Sequence, residues 1–342
     1  MENKTIVHPV RKKAGLYPSP PQGAGLSNGV KPKTKILLSP GHRACAGCGQ
    51  MIAARTVAKA LGPNVIIANA TGCLEVTTTP YPESAWDMPW IHSLFENASA
   101  VASGILAALK QKEKIYPVKS SKAGAKQFNR VKVVAQAGDG GTFDIGIGLI
   151  SGMWERGENI LYICYDTEAY SNTGVQASGA TPWAASTTTT PAGSGPTIDA
   201  IGSHQRKKDM IAIALAHGLP YVAQSTSGFP EDIARKIKKA LTIEGPSYIQ
   251  ILCPCVPGWN IDSSQTIKMG KLAAQTGLYP LLEYENGKLI NVSKILEPQP
   301  KVEEYLKLQG RFKHLFSNEK GKEQIEYIQE LADQNIAKYG LK

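Results

Sequence analysis

The chain has 342 residues, 42% of them hydrophobic and 19% charged, which excludes global disorder and leaves room for one large or two ordinary domains. Thirty-eight basic against 28 acidic side chains give a net charge of +10, yet no zinc-finger spacing and no aromatic ribonucleoprotein motif goes with it. Nucleic acid is therefore not the expected partner, and the basic surface suits an acidic protein at least as well. No apolar run approaches the ~18 residues needed to span a bilayer. The first residues also lack the apolar core of a signal peptide, and six cysteines are too few for a disulfide scaffold. A soluble, cytoplasmic chain with no membrane contact is the expectation.

Residues 1–38 read as an extended arm, with Pro18, Pro20 and Pro21 blocking regular structure. Small and apolar positions recur at helical spacing from Cys48 to Leu61, and Gly62-Pro63 ends that helix. Val65 to Ala70 has strand character and runs into Thr71-Gly72-Cys73, followed by a loop carrying Pro80, Pro82 and Pro89. Ser93 to Lys110 predicts a helix rich in small residues, and the basic stretch 111–130 a surface excursion. Val131–Ala137, Phe143–Arg156 and Asn159–Tyr165 then read as strand, helix and strand. Such a unit makes the two strands parallel neighbours joined by a right-handed crossover.

Residues 175–204, rich in Ser, Thr, Gly and Pro, are too long for a casual connection and are expected to be functional. The alternation resumes with a helix at 209–217, a strand at 221–225, a helix at 230–242 and a strand at 247–253. This pattern predicts an α/β fold built on a doubly wound parallel sheet. From about 260 onward the chain predicts amphipathic helix (Val302–Phe316, Glu323–Tyr339) that wraps the domain or serves assembly. The expected organisation is thus an arm at 1–38, an α/β domain at 39–259 and a helical tail at 260–342.

Two constellations carry chemistry. The turn Gly138-Asp139-Gly140-Gly141 lies at the carboxyl end of its strand, where open α/β sheets bind ligands. Glycines there let backbone amides approach a phosphate, and the following helix N-terminus favours an anion. The next strand ends beside it, so Asp166, Thr167 and Asn172 emerge nearby, and oxygen donors from adjacent strand ends suit Mg²⁺. Taken alone, Gly-Asp-Gly is more often a tight turn with a capping aspartate; the neighbouring loop 165–174 favours a diphosphate with Mg²⁺. The absence of Gly-Lys-Ser/Thr disfavours a nucleoside triphosphatase.

The second constellation is Cys45-x-x-Cys48, Cys73, and Cys253-x-Cys255. Four thiolates suit an iron–sulfur cluster or zinc, and a set with no metal also fits the irregular spacing. Cys164, inside a strand, reads as a small buried hydrophobe. His42 reads as a loop residue bonding locally and His92 as a helix cap, while Trp86, Trp90 and Trp183 read as core or as pocket lining.

Taken together, several segments resemble the β subunit of the pyruvate:ferredoxin oxidoreductases, within the 2-oxoacid:ferredoxin oxidoreductase family. They are Pro-Gly-His-Arg-Ala-Cys-Ala-Gly-Cys-Gly (40–49), Ala-Asn-Ala-Thr-Gly-Cys (68–73), Ser-Leu-Phe-Glu-Asn-Ala (93–98), Gly-Asp-Gly-Gly (138–141) and Tyr-Asp-Thr-Glu-Ala-Tyr-Ser-Asn-Thr-Gly (165–174). Cys-Pro-Cys-Val-Pro-Gly-Trp (253–259) and Glu-Tyr-Leu-Lys-Leu-Gln-Gly-Arg-Phe (304–312) extend the match over roughly residues 38–315.

The resemblance implies a fold of thiamine-diphosphate-binding type and three cofactors: thiamine diphosphate, Mg²⁺ and one 4Fe-4S cluster. It implies that Asp139, the Thr167 hydroxyl and the Ala169 carbonyl hold Mg²⁺. Gly138, Gly140, Gly141, Thr71, Gly72 and Asn172 would line the cofactor, with Asn172 facing its diphosphate or reactive carbon. Cys45, Cys48, Cys73 and Cys255 would ligate the cluster, Cys255 being chosen over Cys253 because it precedes Val-Pro-Gly-Trp.

The implied activity is coenzyme A-dependent oxidative decarboxylation of pyruvate, with ferredoxin as acceptor and α-, γ- and δ-type subunits as partners. No glutamate for the thiamine pyrimidine is assigned in this chain, which the resemblance explains by its coming from another subunit. The alternatives are the same chemistry on 2-oxoisovalerate or oxalate, a thiamine-dependent decarboxylase with a structural metal, and a zinc-stabilised basic binding module.

Overall fold

The computed structural model describes residues 36–115, 131–195 and 198–342. The arm at 1–35 and most of the basic stretch, 116–130, lie outside the described residues. In chain order the elements are α1 (Gly49–Leu61), β1 (Val65–Asn69), α2 (Cys73–Thr78), β2 (Trp90–His92), α3 (Ala98–Ile115), β3 (Lys132–Gly138), α4 (Ile147–Glu155), β4 (Ile160–Asp166), β5 (Ala192–Gly195), β6 (Ile198–Ile201), α5 (Met210–Ala216), β7 (Tyr221–Thr226), α6 (Pro230–Leu241), β8 (Ser247–Leu252), α7 (Val256–Trp259), α8 (Thr266–Gln275), β9 (Leu282–Glu285), β10 (Lys288–Val292), α9 (Val302–Lys307) and α10 (Glu319–Tyr339). A π-helical turn spans Gly140–Asp144, and short 3-10 turns span Ser263–Gln265 and Gly310–Phe316.

Eight strands form one sheet in the order β10-β9-β7-β8-β4-β3-β1-β2. From β7 to β2 every pairing is parallel, and β9 and β10 add an antiparallel edge. A parallel sheet must be covered on both faces, and β4 is apolar along nearly its whole length for that reason. Leu161, Ile163 and Tyr165 point into one core with Ala53, Ala54 and Val57 of α1 and Ile233 and Ile237 of α6. Tyr162 and Cys164 point into the opposite core with Ala102 of α3, Ile150 and Met153 of α4 and Met210 of α5. The doubly wound prediction therefore holds for the six parallel strands, and the buried, apolar role of Cys164 with it.

Four local expectations are corrected. The proline-rich loop contains a strand, β2, which pairs with β1 through Ile67 and Trp90. Residues 93–97 precede α3 rather than starting it. The tail is not simply helical: β9 and β10 turn at Asn286-Gly287, whose φ values of 49° and 75° are those of a tight hairpin, and join the main sheet. The periodicity of Val302–Phe316 is broken after α9 because Gly310 presses on Asn260; a Cβ there would sit 2.4 Å from the Asn260 Nδ2.

A third core cluster joins that tail to the rest, with Trp259, Met269, Tyr305, Phe312 and Ile328 packed around Leu252 and Ala184. The tail is thus continuous with the domain that precedes it. At the other end, Leu37 and Leu38, assigned to the arm by sequence, are buried in the main core. Among the described residues no helix is long and apolar enough to cross a membrane.

Candidate active site at the carboxyl ends of three strands

The strand order places the carboxyl ends of β1, β3 and β4 side by side, the position at which open α/β sheets bind ligands. A cleft of about 650 Å³, its open mouth included, lies there. Asn69 to Leu74 line it after β1, Ala137 to Gly140 after β3, and Thr167 with Ala169 to Thr173 after β4. Thr71, Gly72, Gly138, Asp139, Gly140, Thr167, Ala169 and Asn172 are therefore brought together as expected from the sequence. Gly141 is not a lining residue: a Cβ there would meet the Phe95 carbonyl oxygen at 2.9 Å, so its role is close packing. At Gly140 a Cβ would lie 2.3 Å from the Tyr170 ring, which closes over the turn.

Asp139 is 1% exposed and fully engaged. Its Oδ1 accepts from the Thr167 amide at 3.0 Å and the Thr167 hydroxyl at 2.9 Å, and its Oδ2 accepts from Ser178 Oγ at 2.6 Å. The Thr167 hydroxyl also lies 3.1 Å from the Ala169 carbonyl oxygen. Burial pushes the Asp139 carboxyl up to about 7, Asp166 adding to the effect while the bonds from Ser178 and Thr167 oppose it. Octahedral Mg²⁺ with oxygens at about 2.0–2.1 Å separates adjacent donors by roughly 2.9 Å. The hydroxyl stands 2.9 Å from the carboxylate and 3.1 Å from the carbonyl, so the chemistry of this donor set fits the ion.

Asn69 adds a second indication of a ligand. Its Nδ2 donates to Ala70 O at 2.6 Å, while its buried Oδ1, on the wall of the cleft, has no partner among the described residues. Asp139 is the one acidic residue among those lining the cleft.

Asp166 does not join the oxygen cluster. Side chains alternate along a strand, so Asp166 faces away from Thr167. Its Oδ2 accepts from Lys207 Nζ at 2.5 Å and Gln250 Nε2 at 2.9 Å. Glu168, at φ 63°, turns the same way and accepts from Lys207 at 2.9 Å and Arg311 Nη2 at 2.6 Å. Burial would pull the Lys207 ammonium down, but Asp166 and Glu168 outweigh it and hold it above the ordinary lysine range. A left-handed non-glycine residue costs about 1–2 kcal/mol, and the buried ion pairs and two backbone bonds keep Glu168 there.

Of the thiols only Cys73 lines the cleft, whereas Cys45 and Cys48 line a separate hollow with His42 and Met51. Cys73 opens α2 and lines the cleft, Cys48 caps α1, and Cys255 caps α7. The helix α1 start is fixed to the segment after β8 by a Gly49 N–H bond to Pro254 O at 3.2 Å. Burial raises the Cys73 thiol to about 12, and Cys255, Cys48, Cys45 and Asp139, in that order, add to the shift. Burial also raises Cys48, against backbone bonds from Met51 and Gln50, and it raises Cys255 against bonds from Ser171 and Gly258. The Gly258 amide donates to Cys255 Sγ at 3.4 Å.

Cys45 is exposed; Cys253, by contrast, is fully buried, its Sγ bonding Ile251 O at 3.2 Å. The four half-buried or exposed thiols are thus neighbours, while among the described residues no three His, Cys, Asp or Glu side chains are placed to share one metal ion. Thiolate donors of this kind suit zinc and an iron–sulfur cluster alike.

Sequence reasoning missed several contributors. Ser178 reaches Asp139 from the long Ser/Thr/Gly loop with nothing in its local pattern to flag it, although the length of that loop had. Ser171 Oγ lies 3.0 Å from Thr167 Oγ1 and is bonded to Cys255, between the oxygen and sulfur sets. His92 is no helix cap: it sits on β2 with its Nε2 2.8 Å from Thr71 Oγ1 and its Nδ1 3.8 Å from Glu75. His42 bonds locally, accepting from the Ala44 amide at 3.4 Å. Trp86 and Trp90 stack at 6.0 Å beside the main core, and Trp183 bonds Gln324 in the tail, so none of the three lines the cleft.

Comparison with known proteins decides the family. A profile for the thiamine pyrophosphate enzyme, C-terminal TPP binding domain, matches residues 70–251. The chain is 51% identical over 311 residues to pyruvate synthase subunit PorB of Methanosarcina barkeri, covering 91% of this chain and 99% of that protein. This chain belongs to the pyruvate synthase PorB family.

Ketoisovalerate oxidoreductase subunit VorB of Pyrococcus abyssi is 45% identical over 294 residues, covering 84% of this chain and 88% of that one. A solved 2-oxoglutarate:ferredoxin oxidoreductase from Magnetococcus marinus shares the fold, with a TM-score of 0.50 and 23% identity over 69% of this chain and 79% of its own. The TPP-domain match runs from Ala70 to Ile251 and so takes in the loops after β1, β3 and β4 that build the cleft.

Proposed function

We propose that this chain is the β subunit of a 2-oxoacid:ferredoxin oxidoreductase that converts pyruvate, coenzyme A and oxidised ferredoxin to acetyl-CoA and CO₂. It carries thiamine diphosphate, Mg²⁺ and one 4Fe-4S cluster, and works with α-, γ- and δ-type subunits in the cytoplasm. The observation that carries this reading is that one turn, Thr71-Gly72-Cys73, borders the cleft and also supplies a thiol to the sulfur set. Pyruvate is favoured over a branched 2-oxoacid by the higher identity to PorB than to VorB, 51% against 45%.

Asp139, Thr167 and the Ala169 carbonyl would hold Mg²⁺, and the amides of Gly140 and its π-helical turn would receive the diphosphate. Cys45, Cys48, Cys73 and Cys255 would hold the cluster. Thiamine diphosphate, when bound, supplies the electron sink that lets a 2-oxoacid lose CO₂. This chain's own residues would orient that group and shield it. Phe95 and Leu74 supply apolar wall to the cleft, and Asn172 and Thr71 supply polar atoms to its lining. Because Asp139 is committed to the metal, the carboxylate that exchanges a proton with the pyrimidine is assigned to a partner subunit.

The test is anaerobic co-purification with the native partners, followed by viologen reduction with several 2-oxoacids and coenzyme A. Expected are about four irons per β chain, dependence on thiamine diphosphate, and a preference for pyruvate. Zinc in place of iron, or turnover unaffected by removing thiamine diphosphate, overturns the reading.

A further inference from the structure

The segment Gln309-Gly310-Arg311-Phe312 lies far along the chain from the cleft, yet Arg311 reaches Glu168, which stands between the lining residues Thr167 and Ala169. Arg311 Nη2 reaches Glu168 Oε2 at 2.6 Å, across 143 positions of sequence. The guanidinium is itself held: its Nε donates to Gln309 Oε1 at 2.9 Å, and its centre stacks 4.0 Å over the Trp259 ring. Trp259 in turn donates from Nε1 to the Thr167 carbonyl at 2.9 Å. Lys207 completes the grip on the other Glu168 oxygen. The Glu168 amide donates to Asp166 Oδ1 at 3.1 Å, and its carbonyl accepts from Thr181 at 2.8 Å. Every polar atom of Glu168 is therefore tied down, although its φ of 63° is one that side-chain-bearing residues seldom adopt.

The neighbours of Glu168 face the other way. The Thr167 hydroxyl lies 2.9 Å from Asp139 Oδ1 and 3.1 Å from the Ala169 carbonyl oxygen, an arrangement that holds only while the residue between Thr167 and Ala169 keeps its left-handed turn. We propose that Arg311, with Lys207, is a positioning residue that holds Glu168 in this conformation, so that the C-terminal segment sets the affinity of the loop for Mg²⁺ and diphosphate without touching either. The inference rests on the proposed function, since it presupposes that Thr167 and Ala169 are metal ligands. Outer-shell partners of this kind typically alter metal affinity by about 10–100-fold when removed.

The experiment uses the assembled oxidoreductase stripped of thiamine diphosphate and Mg²⁺. Mg²⁺ is titrated at fixed thiamine diphosphate, with intrinsic tryptophan fluorescence as readout, in wild type, Arg311→Lys and Arg311→Met. Expected is a rise in the apparent Kd of about 10-fold for R311K and about 100-fold for R311M. Turnover at saturating Mg²⁺ and cofactor stays within about twofold, and iron content is unchanged. That split between affinity and kcat is what a general loss of packing would not give.

R311M binding as tightly as wild type overturns the inference. Should R311M fail to assemble, R311K decides alone, and a Kd within twofold of wild type overturns it. A wild-type complex with no Mg²⁺-dependent binding of thiamine diphosphate overturns the proposed function itself, and is recognised because the wild-type titration is flat.

Discussion

Gly49→Ala tests how closely helix α1 must approach the segment that carries Cys255. An alanine Cβ at this position would sit 2.7 Å from Pro254 O, 2.8 Å from Pro254 N and 2.9 Å from Pro254 Cδ. These are mostly backbone atoms, so no side chain can swing aside. Restoring an ordinary contact of about 3.5 Å requires the two segments to part by roughly 0.7 Å. That movement takes the 3.2 Å bond from Gly49 N–H to Pro254 O out of hydrogen-bonding range. A buried amide left unpaired costs about 1–3 kcal/mol and overpacking about 1–3 kcal/mol more, so the expected loss is about 2–6 kcal/mol.

Because Cys48 immediately precedes Gly49 and Cys255 follows Pro254, the same movement spreads the sulfur set. Denaturant unfolding of the apo chain and iron per chain after anaerobic reconstitution read the two effects separately. Gly148→Ala, on α4 with nothing within 4 Å of its Cβ, is the control and is expected to be neutral or stabilising by up to about 1 kcal/mol. A G49A chain with wild-type stability and full iron would refute the argument.

Three further outcomes follow from the geometry. Cys255→Ser is expected to abolish the visible absorption of the reconstituted chain, whereas Cys253→Ala retains it because Cys253 is buried in the core; equal loss in both variants contradicts the assignment. Thr167→Val removes the hydroxyl that bridges Asp139 and Ala169 and, on the proposed function, is expected to weaken Mg²⁺-dependent binding of thiamine diphosphate by about 10–100-fold in a Mg²⁺ titration; an unchanged Kd contradicts the proposed role of Thr167.

His314 gives a pH dependence. Burial holds it below the ordinary value of 6.5, against a bond with Ile201 O at 2.8 Å. The unfolded chain then binds the extra proton first, so its contribution to stability is present above 6.5 and is lost as the pH falls through 6.5 toward the depressed folded value. His314→Gln is expected to flatten the fall in thermal midpoint over that interval, and an unchanged slope counts against the argument.

The inner sheet was legible because parallel strands buried on both faces leave apolar runs such as Val133–Ala137 and Leu161–Tyr165, separated by helical periodicity. What escaped notice had weak or misleading patterns. β2 is three residues directly after Pro89, too short to show a period. β9 and β10 are short and half-polar, yet Asn286-Gly287 is a strong local hairpin signal that should have prompted the reading. Asp166 was expected beside the metal because it closes the same strand as Asp139's neighbour. Strand parity decides otherwise, since only alternate residues share a face, and Thr167 takes the position facing Asp139. The motif Gln-Gly-Arg-Phe could be seen as part of a resemblance, but its partner Glu168 lies 143 residues earlier and no local rule links them.

The sulfur set also dictates an order of events during synthesis. Cys45 and Cys48 leave the ribosome some 200 residues before Cys255, and Gly49 cannot find Pro254 until β8 has been made and has taken its place beside β4. Until then the early cysteines belong to a helix with no counterpart, and any iron they attract has no closed cage. A nascent chain stalled before residue 255 should therefore be unable to retain a cluster, however abundant the donor. On the proposed function, closure of the four-thiol site therefore waits until residue 255 has been made.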